Sequence, residues 1–232
     1  MKTNGYIEFD LDGEELSSVH ARLHSVKQGD NERSFRIVNP RGKHAVAAGL
    51  NAPMDVRIDG HVGFYCGGMN KEADITINGQ AGPGVGENMM SGLIRVCGNA
   101  SQSAGATGRG GMLVIEGDAS SRCGISMKGI DIVVGGSVGH MSCFMGQRGH
   151  LVVCGDAGHD LGDSLYEAQI FVRGSVDSLG ADCVEKEMRP EHIETLKGLL
   201  ARSGVNADPK EFRRYGSARK LYNFHIDNAD AL

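Results

Sequence analysis

Several features that announce a familiar function are missing from this 232-residue chain. Hydrophobic residues make up 40% of it but fall in short pieces, and no run approaches the roughly 20 residues of a membrane-crossing helix. Met1-Lys2-Thr3-Asn4 leads into acidic sequence without a secretory hydrophobic core, so a cytoplasmic location is expected. No glycine-rich run leads into a Lys-Ser/Thr pair and a helix, which removes the phosphate-cradling loop. The formal net charge of −5, with no base-reading motif, argues against nucleic acid as a partner. The six cysteines contain no CxxC, and no Ser-His-Asp or Cys-His constellation can be assigned.

Glycine, by contrast, is abundant at 35 residues, and part of it is strictly periodic. Gly60, Gly79, Gly98, Gly117, Gly136, Gly155 and Gly174 stand 19 residues apart. Four residues before these anchors the chain reads Val56, Ile75, Ile94, Leu113, Ile132, Leu151 and Ile170. Two residues before, it reads Ile58, Ile77, Val96, Ile115, Val134, Val153 and Val172. That alternation is a strand signal, and its fixed period predicts a solenoid with one coil per repeat. Two residues after the anchors comes a small column, Val62, Ala81, Ala100, Ala119, Val138, Ala157 and Val176, suited to a narrow corner where glycine supplies either φ freedom or close approach. Helical repeats are disfavoured by the glycine content, because glycine weakens helix interiors. The predicted fold is all-β: a single-stranded parallel β-helix of about seven coils, spanning residues 53–187.

The ends of such a rod are open sheet edges that need covering. Residues 1–52 form an N-terminal α/β flank, with a strand around Tyr6, Phe9 and Leu11, a one-sided helix carrying Leu16, Val19, Leu23 and Val26, and pairing residues Phe35, Ile37 and Val38. Residues 188–232 hold a C-terminal helix that starts near Pro190 and stops at Gly204, with Ile193, Leu196, Leu199 and Leu200 on one side; it is expected to cap the rod. Beyond it, Arg213, Arg214 and Arg219 precede Tyr222, Phe224 and Ile226, a basic stretch and an apolar patch suited either to docking on a partner or to packing on the chain itself.

Two residue types invite a chemical reading. Cys97 and Cys154 share a phase three coils apart, as do Cys66 and Cys123, so about 14 Å separates each pair, beyond a disulfide or a shared zinc ion. Reduced structural thiols are expected. His140 and His159 lie one repeat apart and would stack on neighbouring coils as a ligand or proton site, with Asp156, Asp160 and Asp163 as counter-charges; a surface stack is the plainer reading. No catalytic, metal or cofactor residue is assigned, because the small columns leave little room inside the rod.

Asn39-Pro40-Arg41-Gly42-Lys43-His44-Ala45-Val46, the Gly-x-x-Gly-x-x-x-Gly units at Gly60/Gly63/Gly67, Gly79/Gly82/Gly86 and Gly155/Gly158/Gly162, and Leu179-Gly180-Ala181-Asp182-Cys183 resemble the C-terminal β-helix domain of the glutamate synthase large subunit, over about residues 37–187. Ser101 and Ser120 replace the middle glycine in the third and fourth repeats, and Cys143 replaces the last in the fifth. The resemblance implies a right-handed, structural, non-catalytic element. The ending Lys220-Leu221-Tyr222-Asn223-Phe224-His225 more specifically resembles the β-helix subunits of N-methylglutamate synthases (methylamine-glutamate N-methyltransferases). This implies a hetero-oligomer that makes N-methylglutamate and ammonia from methylamine and glutamate, with an amidotransferase-like subunit and an FMN-binding glutamate synthase-like subunit, FMN being held by the latter. A separately encoded glutamate synthase β-helix subunit, the corresponding subunit of formylmethanofuran dehydrogenase, and a structural interaction protein outside any enzyme complex are the alternatives.

Overall fold

The computed structural model describes residues 2–3 and 5–219, and within them the predicted parallel β-solenoid is present. Two N-terminal strands, β1 (Lys2–Thr3) and β2 (Tyr6–Asp10), precede helix α1 (Leu16–His24) and strand β3 (Ser34–Val38). The repeats then supply β4 (Asp55–Asp59), β5 (Asp74–Asn78), β6 (Leu93–Val96), β7 (Met112–Ile115), β8 (Lys128–Val134), β9 (Arg148–Val153) and β10 (Gln169–Val172). After them come β11 (Cys183–Lys186), α2 (Pro190–Ser203), a short 3-10 turn at Pro209–Glu211 and β12 (Arg213–Ser217). Among the described residues no helix is long and apolar enough to cross a membrane.

From β2 to β10 each strand lies parallel to the next. The register stacks Phe35, Val56, Ile75, Ile94, Leu113, Ile132, Leu151 and Ile170 in one inward column, and Ile37 through Val172 in the other. Every member of both columns is buried, which accounts for the alternating pattern in the sequence. At about 1.5–3 kcal/mol per buried aliphatic side chain, these two ladders are the main source of stability in the rod. The small column two residues past the anchors forms a second ladder of single bridges, from Val62↔Ala81 to Ala157↔Val176.

The wide turn that closes each coil uses left-handed backbone at every second residue, for example Tyr65 (φ 59), Gly67 (φ 63) and Met69 (φ 56). This alternation turns successive odd-numbered amides to opposite sides. Tyr65 and Met69 donate to the following coil at Pro83 and Glu87, whereas Gly67 donates to the preceding one at Val46. Left-handed geometry costs non-glycine residues about 1–2 kcal/mol each, and these inter-coil hydrogen bonds hold it in place.

The C-terminal helix requires a correction. Instead of covering the end of the rod, α2 lies along its side: Leu196, Leu199 and Leu200 pack with Phe212 on Val114, Val133, Val152 and Phe171. The cause is the outward column of the strands. It reads Glu8, Arg36, Arg57, Thr76 and Arg95 through the first coils, then turns apolar at Val114, Val133, Val152 and Phe171. An apolar outer face must be removed from water, and α2 does so. It begins at Pro190 and ends at Gly204 in the left-handed conformation (φ 71), as the sequence indicated. The end of the rod is closed instead by β12, antiparallel to β10, with β11 antiparallel on its other side. Tyr215 of β12 pairs with Ile170 and is buried.

Candidate assembly surfaces

The anchor glycines sit where successive coils approach most closely. A Cβ built on Gly79 would lie 2.5 Å from the carbonyl oxygen of Gly60, and one on Gly98 would lie 2.8 Å from that of Gly79. Of the seven anchors only Gly60 has positive φ (134), so close approach rather than φ freedom is the common requirement. The residue after five of the seven anchors carries a feature that the sequence reading missed. Side-chain acceptors on His61, Asn99, Asp118, Ser137 and Asp156 each take the backbone N–H of the equivalent residue one coil later, at 2.7–3.0 Å. The signal was present as a polar residue following every anchor. The N–H and hydroxyl of Ser175 hold the Asp156 carboxyl below its ordinary pKa.

Thiols line the interior as packing groups. Burial pushes Cys66 and Cys123 up to about 12 and Cys183 up to about 11, and raises Cys143 as well. All six cysteines are free. At such values the buried sulfurs stay protonated and are not nucleophiles. Cys143, standing where other repeats have glycine, keeps the left-handed conformation of that position (φ 60).

His140 and His159 are exposed on adjacent coils, and their carbonyls accept from Arg122 and Met141 in the turn ladder. The expected counter-charges do not converge on them. Asp156 accepts from Ser175 and Asp163 from Ser164, while the carboxylate beside His159 is Asp177, at 3.9 Å with both groups exposed. Among the described residues no three His, Cys, Asp or Glu side chains gather as a metal site.

The predicted docking arginines belong to the chain's own C-terminal closure. Arg213 donates to the carbonyl of Gly174 at 2.8 Å, Arg214 donates twice to that of Glu187, and Arg219 pairs with Asp182. Tyr222, Phe224 and Ile226 lie outside the described residues.

On the helix-covered side, one polar cluster ties α2 to the strands. Asp131 bonds Nδ1 of His150 at 2.7 Å and accepts from Arg202 of α2 at 2.5 Å. Burial works to raise the pKa of Asp131, but the hydrogen bonds from His150 and Arg202 outweigh it and hold the carboxyl below its ordinary value. Arg95 adds a bond from the first uncovered strand to the carbonyl of Ser203 at 2.6 Å.

The turn-bearing side carries most of the exposed large apolar groups, Val184 of β11 lying apart from them. Phe64, Tyr65, Met69 and Met90 cluster on the first two coils and Met145 lies further along, Met69 being the most open at 55%. His44 meets Phe64 edge-on, with ring centroids 4.7 Å apart. Large hydrophobics grouped on one side of a rod mark an interaction surface more than a reaction site.

Comparison with known proteins yields one close match: the chain is 63% identical over 223 residues to Protein GlxC of Rhizobium meliloti (strain 1021), covering 96% of this chain and 98% of that protein. No protein-family model matches the chain. No solved structure matches it.

Proposed function

We propose that this chain, which belongs to the family of Protein GlxC and to the glutamate synthase-like β-helix proteins, is a non-catalytic structural subunit of an enzyme complex. The observation that carries the reading is the filled interior. Aliphatic ladders fill each coil, with the buried thiols of Cys66, Cys123, Cys143 and Cys183 among them, so a contribution to chemistry is expected from surfaces presented to other proteins.

The finer assignment follows the motif resemblance. The complex is an N-methylglutamate synthase that converts methylamine and glutamate to N-methylglutamate and ammonia, and this rod braces its amidotransferase-like and FMN-binding subunits. FMN and all covalent steps belong to those companions. With Arg213, Arg214 and Arg219 engaged in the cap, docking falls to the segment beyond them, through Tyr222, Phe224 and Ile226, and to the apolar turn face.

The test is co-expression of the chain with the two companion subunits, followed by mass measurement of the eluting species. The expected result is a single assembly containing all three. The reading is overturned when the two companions assemble and turn over at full rate while this chain elutes separately.

A further inference from the structure

The turn face carries a ladder of like charge. Arg109, Lys128 and Arg148 are exposed on three successive coils, with Lys128 and Arg148 in direct register and the amide of Lys128 bonded to the carbonyl of Gly108. Neighbouring coils lie about 4.8 Å apart, so these cations repel one another. None of the three has an ion-pair partner among the described residues; Glu167, on the coil beyond Arg148, forms none with it. Exposed Met145 and Met90 flank the ladder along the rod.

The sequence outside the described residues has the complementary chemistry. After Arg219, residues 220–232 open with the cation Lys220, alternate apolar Tyr222, Phe224 and Ile226 with polar Asn223, His225 and Asp227, and continue to Asp230, so that the acidic groups lie in the far half of the segment. Alternation of this kind gives an extended segment one apolar edge. The point of departure is also fixed: Arg219 is held by Asp182 and lies over the ring of Tyr166, 5.9 Å from its centroid. Tyr166 is one coil beyond Met145, its amide bonded to the carbonyl of Gly146. From there Lys128 is about 10 Å and Arg109 about 14 Å along the rod, while an extended chain carries Asp227 up to about 26 Å from Arg219.

We propose that residues 220–232 seat on the turn face of their own chain, with Tyr222, Phe224 and Ile226 over Met145 and its neighbours and Asp227 and Asp230 against Arg109, Lys128 and Arg148. Seated there, the segment neutralises the cation ladder and covers apolar area of the turn face. This inference concerns the isolated chain and does not rest on the docking role proposed above: a companion that takes Tyr222, Phe224 and Ile226 displaces the segment from its own rod, and the test involves no companion protein.

The full chain, purified alone, carries a photo-crosslinking benzoylphenylalanine in place of Phe224. Illumination is expected to give crosslinks within the monomer to peptides of residues 104–147. Lys128→Glu lowers their yield about fivefold, and the exchange Lys128→Glu with Asp227→Lys restores it. Melting of each variant checks that the rod is intact. Crosslinks found only in covalent dimers would assign the face to a second copy, and a yield indifferent to the charge at position 128 would place the segment elsewhere; either result overturns the proposal.

Discussion

A Cβ at Gly155 would stand 2.5 Å from Oγ of Ser137 and 2.7 Å from the carbonyl carbon of Gly136, whereas one at Gly124 meets only the tips of Ile132 and Met127 at 3.3 Å. The two glycines are needed for different reasons. Gly124 has φ 70, so alanine there adds left-handed strain of about 1–2 kcal/mol. Alanine at Gly155 forces two coils apart, and the cost is expected to exceed that at Gly124 by about 2 kcal/mol, read from urea midpoints. Val134, fully buried between Ile115 and Val153, makes a harsher case. Val134→Asp leaves a carboxylate without a partner in the ladder, and a loss of about 4 kcal/mol or more is expected; near-wild-type melting of the variant would contradict the inward phase. At this scale the sequence was legible where a residue's role repeats every coil. The period exposed both inward columns, but it was silent on whether an anchor glycine serves φ or proximity, because proximity depends on the coil beneath. The acceptor column at His61, Asn99, Asp118, Ser137 and Asp156 escaped for a related reason: four residue types share one hydrogen-bonding task.

At the scale of elements, α2 is where prediction and structure part. Its apolar stripe was plain in the sequence, but its seat was not, because the outward strand column changes character only at Val114 and a pattern built on inward positions passes over it. A consequence is that α2 belongs to a packing cluster separate from the rod interior. Leu196→Ala is expected to lose about 2–4 kcal/mol in the helix while leaving protection of β4–β6 amides unchanged in hydrogen exchange. Asp131 gives the same joint a pH dependence. Its folded pKa lies below its unfolded value, so the stability it adds is fully present above the unfolded carboxyl pKa near 4 and is lost as pH falls through the folded one. Asp131→Asn is therefore expected to lower melting temperature at pH 6, with the difference from wild type shrinking below about pH 4. A difference that stays constant down to pH 2 would deny the bond to His150 and Arg202 its role.

Across the whole molecule, the rod is closed by β1 on β2 at one end and by β12 and β11 at the other, and is roofed on one side by α2. That leaves the turn face, with Phe64, Tyr65, Met69 and Met90, as the broad apolar side without cover among the described residues. The C-terminal stretch accordingly divides in two. Deleting residues 220–232 is expected to leave thermal melting of the rod within a few degrees of the intact chain, whereas deleting 209–232 uncovers the β10 edge and is expected to cause aggregation. The basic and aromatic stretch read as one element in the sequence, for docking on a partner or for packing on its own chain, because strand pairing between Arg213–Ser217 and its distant partners has no local signature.

The central claim is that this chain supports catalysis without performing it. The most direct measurement is formation of N-methylglutamate from methylamine and glutamate by the purified chain alone, by the amidotransferase-like and FMN-binding companions proposed above alone, and by all three together. The account predicts no product from the chain alone and the highest rate from the complete assembly. Turnover by the chain alone, at a rate proportional to its concentration and free of companion protein, would contradict it.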